Sequence, residues 1–278
     1  MSLTYKSLIK RPQTFQRIMG ISVSEFESIL IKLEPLWEEK VIGSYKRQGR
    51  LYNNSVREIC MMLLLYYRTY MTQFFIGHLF GIDDSNVCRN IKTLEPILAK
   101  VVAIKKNRTI PKKEAENLII DATEQEIERP KRGQGKYFSG KKKRHTVKVE
   151  IQITVDGEIK HVSKPRPGTV HDFALHKEQP PIPGDVRLFV DSGYQGIDKI
   201  HKEVDFPYKK PKNGELDKEE KEYNRGLSNL RVKVENIIGD MKLFKIMGNR
   251  YRNKRKRYGI KVNIIAGIVN IKNGFATA

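Results

Sequence analysis

The sequence predicts an α/β protein in which an all-helical N-terminal region precedes a domain built on a mixed β-sheet. Two observations predict it. Through the first hundred residues apolar side chains recur every three or four positions, the helical period, behind recognisable capping residues. Beyond Lys105 the texture changes to short apolar runs and strict alternation, the marks of strands, interleaved with helical stretches. A chain of 278 residues, 39% of them apolar, holds one large domain or a small one plus a medium one.

The helical elements come first. Ser24 followed by Glu27 forms a capping box, and Phe26, Ile29, Leu30 and Leu33 follow at helical spacing. Pro35 is expected to kink or end that helix. Lys46 to Asn54 reads as a polar, basic connection, and Ser55 to about Arg68 as a strongly apolar, buried helix. Thr72 then caps a short helix ending at Phe80, Gly81 supplies a turn, and Asp83 or Asp84 caps the next helix. Ile76, Gly77, Phe80, Gly81, Ile82 and Val87 stand where a helix-turn-helix needs its small, turn and core residues, with Ile91 one place off the usual final apolar position. With its second helix in a major groove, the side chains reaching DNA are Ser85, Asn86, Arg89 and Lys92. The alternative is an ordinary helical hairpin in a core.

The strands follow. Leu118 to Ile120 is a short apolar strand ending in Asp121. Thr146 to Val155 alternates between an apolar face (Val147, Val149, Ile151, Ile153, Val155) and a polar one (Lys148, Glu150, Gln152, Thr154), predicting a half-buried strand. Asp156-Gly157 is a hairpin turn, with Ile159 to Ser163 returning. His171 to Lys177 is a short helix, Val186 to Val190 a buried strand ending at Asp191, Asp205 to Lys209 a short strand, and Lys218 to about Met247 a long helix. The order is the ribonuclease-H-like one, in which the first and fourth strands lie side by side and parallel.

Charge narrows the function. Fifty-three Lys and Arg against 32 Asp and Glu give +21 at pH 7. Such an excess calls for a polyanion, and its spread along the chain favours nucleic acid over a membrane-surface helix. Lys141, Lys142, Lys143 and Arg144 form one basic cluster, and Arg250 to Arg257, including Arg252 and Arg255, another. Each is a phosphate-contacting patch or a solvated charge run. Cys60 and Cys88 belong to no metal-ligand spacing, so neither a zinc site nor a disulfide framework is expected. The longest apolar run, Ile59 to Tyr67, is far short of the ~20 residues of a membrane span, and Met1 to Phe15 lacks a signal-peptide core. A reducing, cytoplasmic, nucleoid-associated location is expected, with no membrane partner.

Chemistry enters with three carboxylates. Asp121 and Asp191 each end a buried strand, and in an open α/β sheet ligands sit beyond the carboxyl ends of strands. If those strands are neighbours, the two aspartates can share a hard ion such as Mg²⁺ or Mn²⁺. On the last helix, Arg231, Glu235 and Lys242 run beside an apolar stripe of Leu230, Val234, Ile237, Ile238, Met241 and Phe244. Steps of four and seven residues turn a helix by about 40° and about −20°, so the three charges share a face. Taken singly, strand-end aspartates are often turn formers, and such a ladder is often a surface salt-bridge row.

At these residues the chain resembles bacterial insertion-sequence transposases of the DDE superfamily, closest to the branch named after insertion sequence five and related to Harbinger-type elements. The matching stretches are Ile119 to Glu124, Arg129-Pro130, Tyr137 to Thr146, Pro167-Gly168, His171-Asp172, Asp191 to Gly196, Lys209 to Pro211, Asn224-Arg225 and Arg231 to Lys242, in family order over roughly residues 50 to 275. The resemblance implies Asp121, Asp191 and Glu235 as a catalytic, metal-holding triad, with two Mg²⁺ or Mn²⁺ ions, and Arg231 and Lys242 as part of the helix signature. Ser228 stands where that signature often has a tyrosine, and Asp121-Ala122-Thr123 replaces a commoner Asp-Gly-Thr. Asp172 caps the next helix or forms an outer shell for metals.

The expectation is a helical DNA-binding region over residues 1–105, with its helix-turn-helix at about 55–98, and a ribonuclease-H-like catalytic domain over 106–278. It is expected to act as a homo-oligomer on double-stranded DNA, binding terminal inverted repeats, cutting there and joining the 3′ hydroxyl ends to target DNA. The rival readings are a catalytically silent DNA-binding regulator and a ribonuclease-H-like nuclease without strand transfer.

Overall fold

The computed structural model describes residues 3–44, 54–105, 109–110, 114–211 and 214–275. The basic connection expected at Lys46 to Asn54 lies outside them except for its last residue. Among the described residues no helix is long and apolar enough to cross a membrane. The chain divides into two compact units, one helical and one carrying the sheet.

The helical unit comprises Met1–Ala103, Met241–Asn249 and Arg255–Ala278. It begins with α1 (Tyr5–Leu8), α2 (Pro12–Met19) and α3 (Val23–Trp37). Gly20 ends α2 in the left-handed region, φ 86°, and the capping box of α3 uses Ser22 and Glu25. The expected box lay two residues on: the sequence offers two overlapping Ser-x-x-Glu patterns, and the early stop at Gly20 selects the first. Phe26, Ile29, Leu30 and Leu33 are buried as expected. Pro35 does not end α3, which continues to Trp37 and then widens into a π-turn over Glu38–Ile42, the adjustment a missing amide donor favours. Next, α4 (Val56–Thr69) starts from a Ser55/Glu58 capping box and buries every residue from Ile59 to Tyr67. Then α5 (Gln73–Phe80) and α6 (Asp84–Val102) form the helix-turn-helix. Thr72 Oγ1 accepts from the Phe75 amide at 3.3 Å, and Gly81 makes the left-handed turn at φ 67°. Any Cβ at Gly77 would collide with the Ile82 carbonyl oxygen, so the turn closes only over glycine.

The last helix, α11 (Tyr258–Lys272), also packs in this unit, whereas the sequence alone placed residues 106–278 in the catalytic domain. Its backbone meets the end of α6 so closely that a Cβ at Gly267 would overlap the Val102 carbonyl oxygen. The buried carboxylate of Glu95 on α6 joins the two helices: Lys261 Nζ lies 2.5 Å from Oε1, Tyr67 Oη donates to Oε1 at 2.9 Å, and Arg257 Nη2 pairs with Oε2 at 2.8 Å. Gly267→Ala therefore lowers stability by about 1–3 kcal/mol, the range for overpacking a dense core, in a urea titration. An unchanged midpoint would refute this packing.

The second unit comprises Ile104–Asp240 and Arg250–Lys254. Its strands are β1 (Asn117–Glu126), β2 (Phe138–Ser139), β3 (Arg144–Thr154), β4 (Ile159–Val162), β5 (Arg166–Pro167), β6 (Arg187–Phe189) and β7 (Val204–Asp205). Its helices are α7 (Gln134–Tyr137), α8 (Asp172–His176) and most of α9 (Lys218–Leu243). One sheet runs β2-β3-β1-β6-β7, with β4 and β5 also on β3. β3 and β4 are antiparallel additions, whereas β6 lies parallel beside β1 and β7 parallel beside β6. This is the ribonuclease-H-like arrangement, in which the first and fourth long elements of the sheet meet in the middle.

Three boundaries differ from the sequence reading. β1 continues past Asp121 to Glu126, because β3 pairs with it along its whole length. The strand expected at Asp205 to Lys209 is the two-residue β7. The long helix stops at Leu243, where Phe244 is extended, and a short α10 (Lys245–Gly248) follows in the helical unit. More important for the site, β3 is buried on both faces instead of one. Its polar face is therefore a buried hydrogen-bonding surface.

Candidate active site

The parallel register explains why two distant aspartates meet. Ile119 pairs with Phe189 at the end of the β1–β6 pairing, and Asp121 and Asp191 each follow by two residues, near enough for the Asp191 charge to act on Asp121. β6 ends at Phe189, whereas β1 carries on, so Asp121 sits mid-strand and Asp191 on the loop leaving the sheet. The Ala122 amide donates to Asp121 Oδ1 at 2.8 Å, and the Gly193 amide donates to Asp191 Oδ1. These bonds hold both side chains at the same end of the central strand pair.

The electrostatics are unbalanced. Burial pushes the Asp121 carboxyl from the usual 3.8 up to about 6. The Ala122 amide and the Arg231 guanidinium act against this rise, while the charges of Asp191 and Asp172 add to it. From α9, Arg231 Nη2 lies 3.6 Å from Asp191 Oδ2 and 3.9 Å from Glu235 Oε1. Arg231 Nε is buried with no hydrogen-bond partner among the described residues. Four residues apart on one helix face, Arg231 is one-fifth exposed and Glu235 59% exposed, so the carboxylate stands at the open side.

Thus the fold brings Asp121 and Asp191 together and ties Glu235 to them through Arg231. Among the described residues no three acidic, histidine or cysteine side chains stand close enough to enclose one ion. The donor set still fits a divalent cation: hard carboxylate oxygens, with the half-buried Asp121 raised by desolvation and further by the charges of Asp191 and Asp172. Asp121 and Asp191 would hold the ion, with Glu235 on its open side. Lys242, on the last turn of α9, is half-buried in the helical unit.

Beneath this site runs a polar network that the sequence reading did not assign. Glu124 and Lys148 face each other across β1 and β3, and Lys148 Nζ reaches Asp172 Oδ1 at 2.8 Å and Glu124 Oε1 at 3.5 Å. Further along, buried Glu150 accepts from Gln152 Nε2 at 2.8 Å and pairs with His176 Nδ1 at 3.1 Å. The His176 ring packs edge-on to Tyr194 at 6.1 Å. Burial and the charges of Glu150, Asp121, Asp172 and Asp191 push the Tyr194 phenol well above its ordinary value. The signal in the sequence was the polar alternation of Thr146 to Val155, which reads as a solvent face unless something is known to cover it. Of the two options for Asp172, the cap position goes to His171.

The helix-turn-helix residues share one surface. Ser85, Arg89 and Lys92 are exposed and Asn86 half-buried, while Val87, Ile91 and Leu94 face the core. Arg89 donates to Asn86 Oδ1 at 2.8 Å and to Ser85 Oγ at 3.3 Å, which holds its guanidinium back along the first turn of α6. Lys141, Lys142 and Lys143 are exposed in the β2–β3 turn and Arg144 is exposed at the start of β3, with its Nη1 2.5 Å from Glu126. The second basic cluster is divided, Arg252 lying in the sheet unit and half-buried Arg255 in the helical one.

Comparison with known proteins identifies the family. Residues 120–270 match the family described as DDE superfamily endonuclease, and residues 55–103 match the helix-turn-helix of DDE superfamily endonuclease. Over 268 residues the chain is 37% identical to a protein of Microchaete diplosiphon named probable transposase for insertion sequence element IS702, covering 92% of this chain and 93% of that one.

Proposed function

Since the chain belongs to the DDE-superfamily endonucleases of insertion-sequence transposase type, we propose that it cuts DNA at the terminal inverted repeats of its element and joins the exposed 3′ hydroxyls to target DNA. The observation that carries the catalytic reading is the parallel pairing of β1 and β6, which brings Asp121 near Asp191.

In this reading Asp121, Asp191 and Glu235 would hold Mg²⁺ or Mn²⁺, two ions in all, which would supply Lewis-acid chemistry at the phosphodiester oxygens. The protein's own groups orient and balance charge. Arg231 pairs with Asp191 and Glu235 and so balances the charge of these two carboxylates. The Ala122 and Gly193 amides keep the two aspartates from rotating away. Water and then a 3′ hydroxyl serve as nucleophiles, so no covalent protein–DNA intermediate arises. The chain acts as an oligomer that holds two element ends.

Binding of the ends falls to α6, with Ser85, Asn86, Arg89 and Lys92 in the major groove. Arg89→Ala weakens end binding by about 1–3 kcal/mol and relaxes sequence preference. Replacing Lys141, Lys142 and Lys143 by alanine weakens all DNA alike and flattens the salt dependence by about one unit of slope for each phosphate no longer neutralised. Competition binding at several salt concentrations separates the two, and equal loss on specific and random DNA for Arg89→Ala would count against groove reading. The overall reading is tested with end-containing duplexes and Mg²⁺: nicked ends and then joined products are expected, both blocked by chelation. Tight end binding with no cutting in Mg²⁺ or Mn²⁺ would leave a regulator, and cutting without joined products a plain nuclease.

A further inference from the structure

Resting on the reading of Asp121 and Asp191 as metal-holding carboxylates, we propose that Asp172 is a further carboxylate of that cradle, acting through the ion's water shell, and that Lys148 is the residue that positions it. Lys148 is almost buried, its side chain 9% exposed. A buried ammonium is costly unless fully paired. Here it donates to Asp172 Oδ1 at 2.8 Å and to the Val170 carbonyl at 2.9 Å, with Glu124 Oε1 at 3.5 Å. Two of these contacts fall on the segment that enters α8, so Lys148 fixes both the carboxylate and the backbone that carries it.

Lys148 takes Oδ1 and leaves Oδ2. That second oxygen points at the turn behind Asp191: a methyl group at Gly193 would lie 2.6 Å from Asp172 Oδ2 and 2.9 Å from Asp191 Oδ1. The two carboxylates therefore converge on one spot that only glycine leaves open. Helix capping does not account for this placement, because His171 holds the cap position of α8. A separate observation marks the recess as a place for bound solvent or ion. The Tyr194 hydroxyl is fully buried with no hydrogen-bond partner among the described residues, and the charges of Glu150, Asp121, Asp172 and Asp191 all bear on it. Buried hydroxyls are almost always satisfied, so it calls for a bound water, which the shell of a hydrated cation supplies. Contact through water also agrees with the absence, among the described residues, of three such side chains close enough to enclose one ion, since Mg²⁺ keeps several of its waters.

The test uses the full-length protein and Mn²⁺ alone, with binding read from the electron paramagnetic resonance signal of the free ion. Asp172→Asn is expected to weaken Mn²⁺ binding about tenfold or more, as removal of outer-shell partners does elsewhere. It raises the Mn²⁺ concentration for half-maximal cleavage in step and leaves affinity for end DNA unchanged. Lys148→Met behaves like Asp172→Asn, and Lys148→Arg, which keeps the charge, retains most of the affinity. Should Lys148→Met not fold, the near-isosteric Asp172→Asn carries the test. Wild-type Mn²⁺ affinity in Asp172→Asn overturns the proposal even if its melting temperature falls, because a merely structural ion pair moves stability and not metal binding. Asp191→Ala run in parallel keeps the two readings apart: loss of Mn²⁺ there with none in Asp172→Asn sinks only this inference, while no loss in either sinks the site as a whole.

Discussion

An Asp191→Ala protein binds element ends as the wild type does and leaves them uncut, with cleavage lower by about a thousandfold or more in Mg²⁺ or Mn²⁺. The size follows from the metal's share of transition-state stabilisation, several kcal/mol, each ~1.4 kcal/mol being tenfold in rate. Binding is expected to survive because the residues proposed to read the groove lie on α6 of the helical unit, and Asp191 lies in the sheet unit. Its carboxylate is about one-third exposed and its closest cation is Arg231 at 3.6 Å, so little stability is lost with it. Asp191→Asn, which keeps an oxygen for the Gly193 amide, checks that the backbone turn is intact. Equal cleavage by Asp191→Ala and wild type would refute the assignment of the site.

Asp121→Asn is expected to abolish cleavage and at the same time stabilise the metal-free fold. The Asp121 carboxyl, raised from 3.8 to about 6 in the folded chain, binds its proton more tightly folded than unfolded. Below pH ~3.8 both states are protonated and no stability is lost. As pH rises through about 6 the ionised, desolvated group makes the folded state less favourable, by up to roughly 3 kcal/mol at neutral pH. Asparagine never ionises, so in chelator the variant exceeds wild type most at about pH 7–8, and the gap closes as pH falls below about 4. Urea titrations across this range read the effect. A variant less stable than wild type at about pH 7.5, or a gap independent of pH, would sink the claim. Added Mg²⁺ should stabilise the wild type and not the variant, because binding to the folded state alone is what shifts the midpoint.

Much of this was legible beforehand, and the reasons are local. Thr72, Gly77 and Gly81 announced the helix-turn-helix because short caps and left-handed turns admit few residue types. Leu118 to Ile120 and Val186 to Val190 were visible as buried strands, and Asp121 and Asp191 as the acids behind them. The overlapping Ser-x-x-Glu patterns at Ser22 and Ser24 were not separable, since either register places Phe26, Ile29, Leu30 and Leu33 on one helix. Glu124, Lys148, Glu150 and His176 escaped notice because a polar strand face looks alike whether water or a helix lies over it. The helix α11 escaped too, both as an element and in its destination: its residues are apolar nearly all round, so no single stripe marked it or pointed to the unit that buries it.

The sequence by itself determined the order of the main helices and strands, their periods and the two aspartates that follow Leu118 to Ile120 and Val186 to Val190, because caps, turns and side-chain alternation are set by neighbours along the chain. Only the tertiary structure decided that Ile119 pairs with Phe189, that both faces of β3 are covered, that Gly267 meets Val102, and that Lys148 grips Asp172 beside Gly193. Each of those depends on which distant surface supplies the missing contacts, and the energy of burying a face is indifferent to the sequence separation of the partner that covers it.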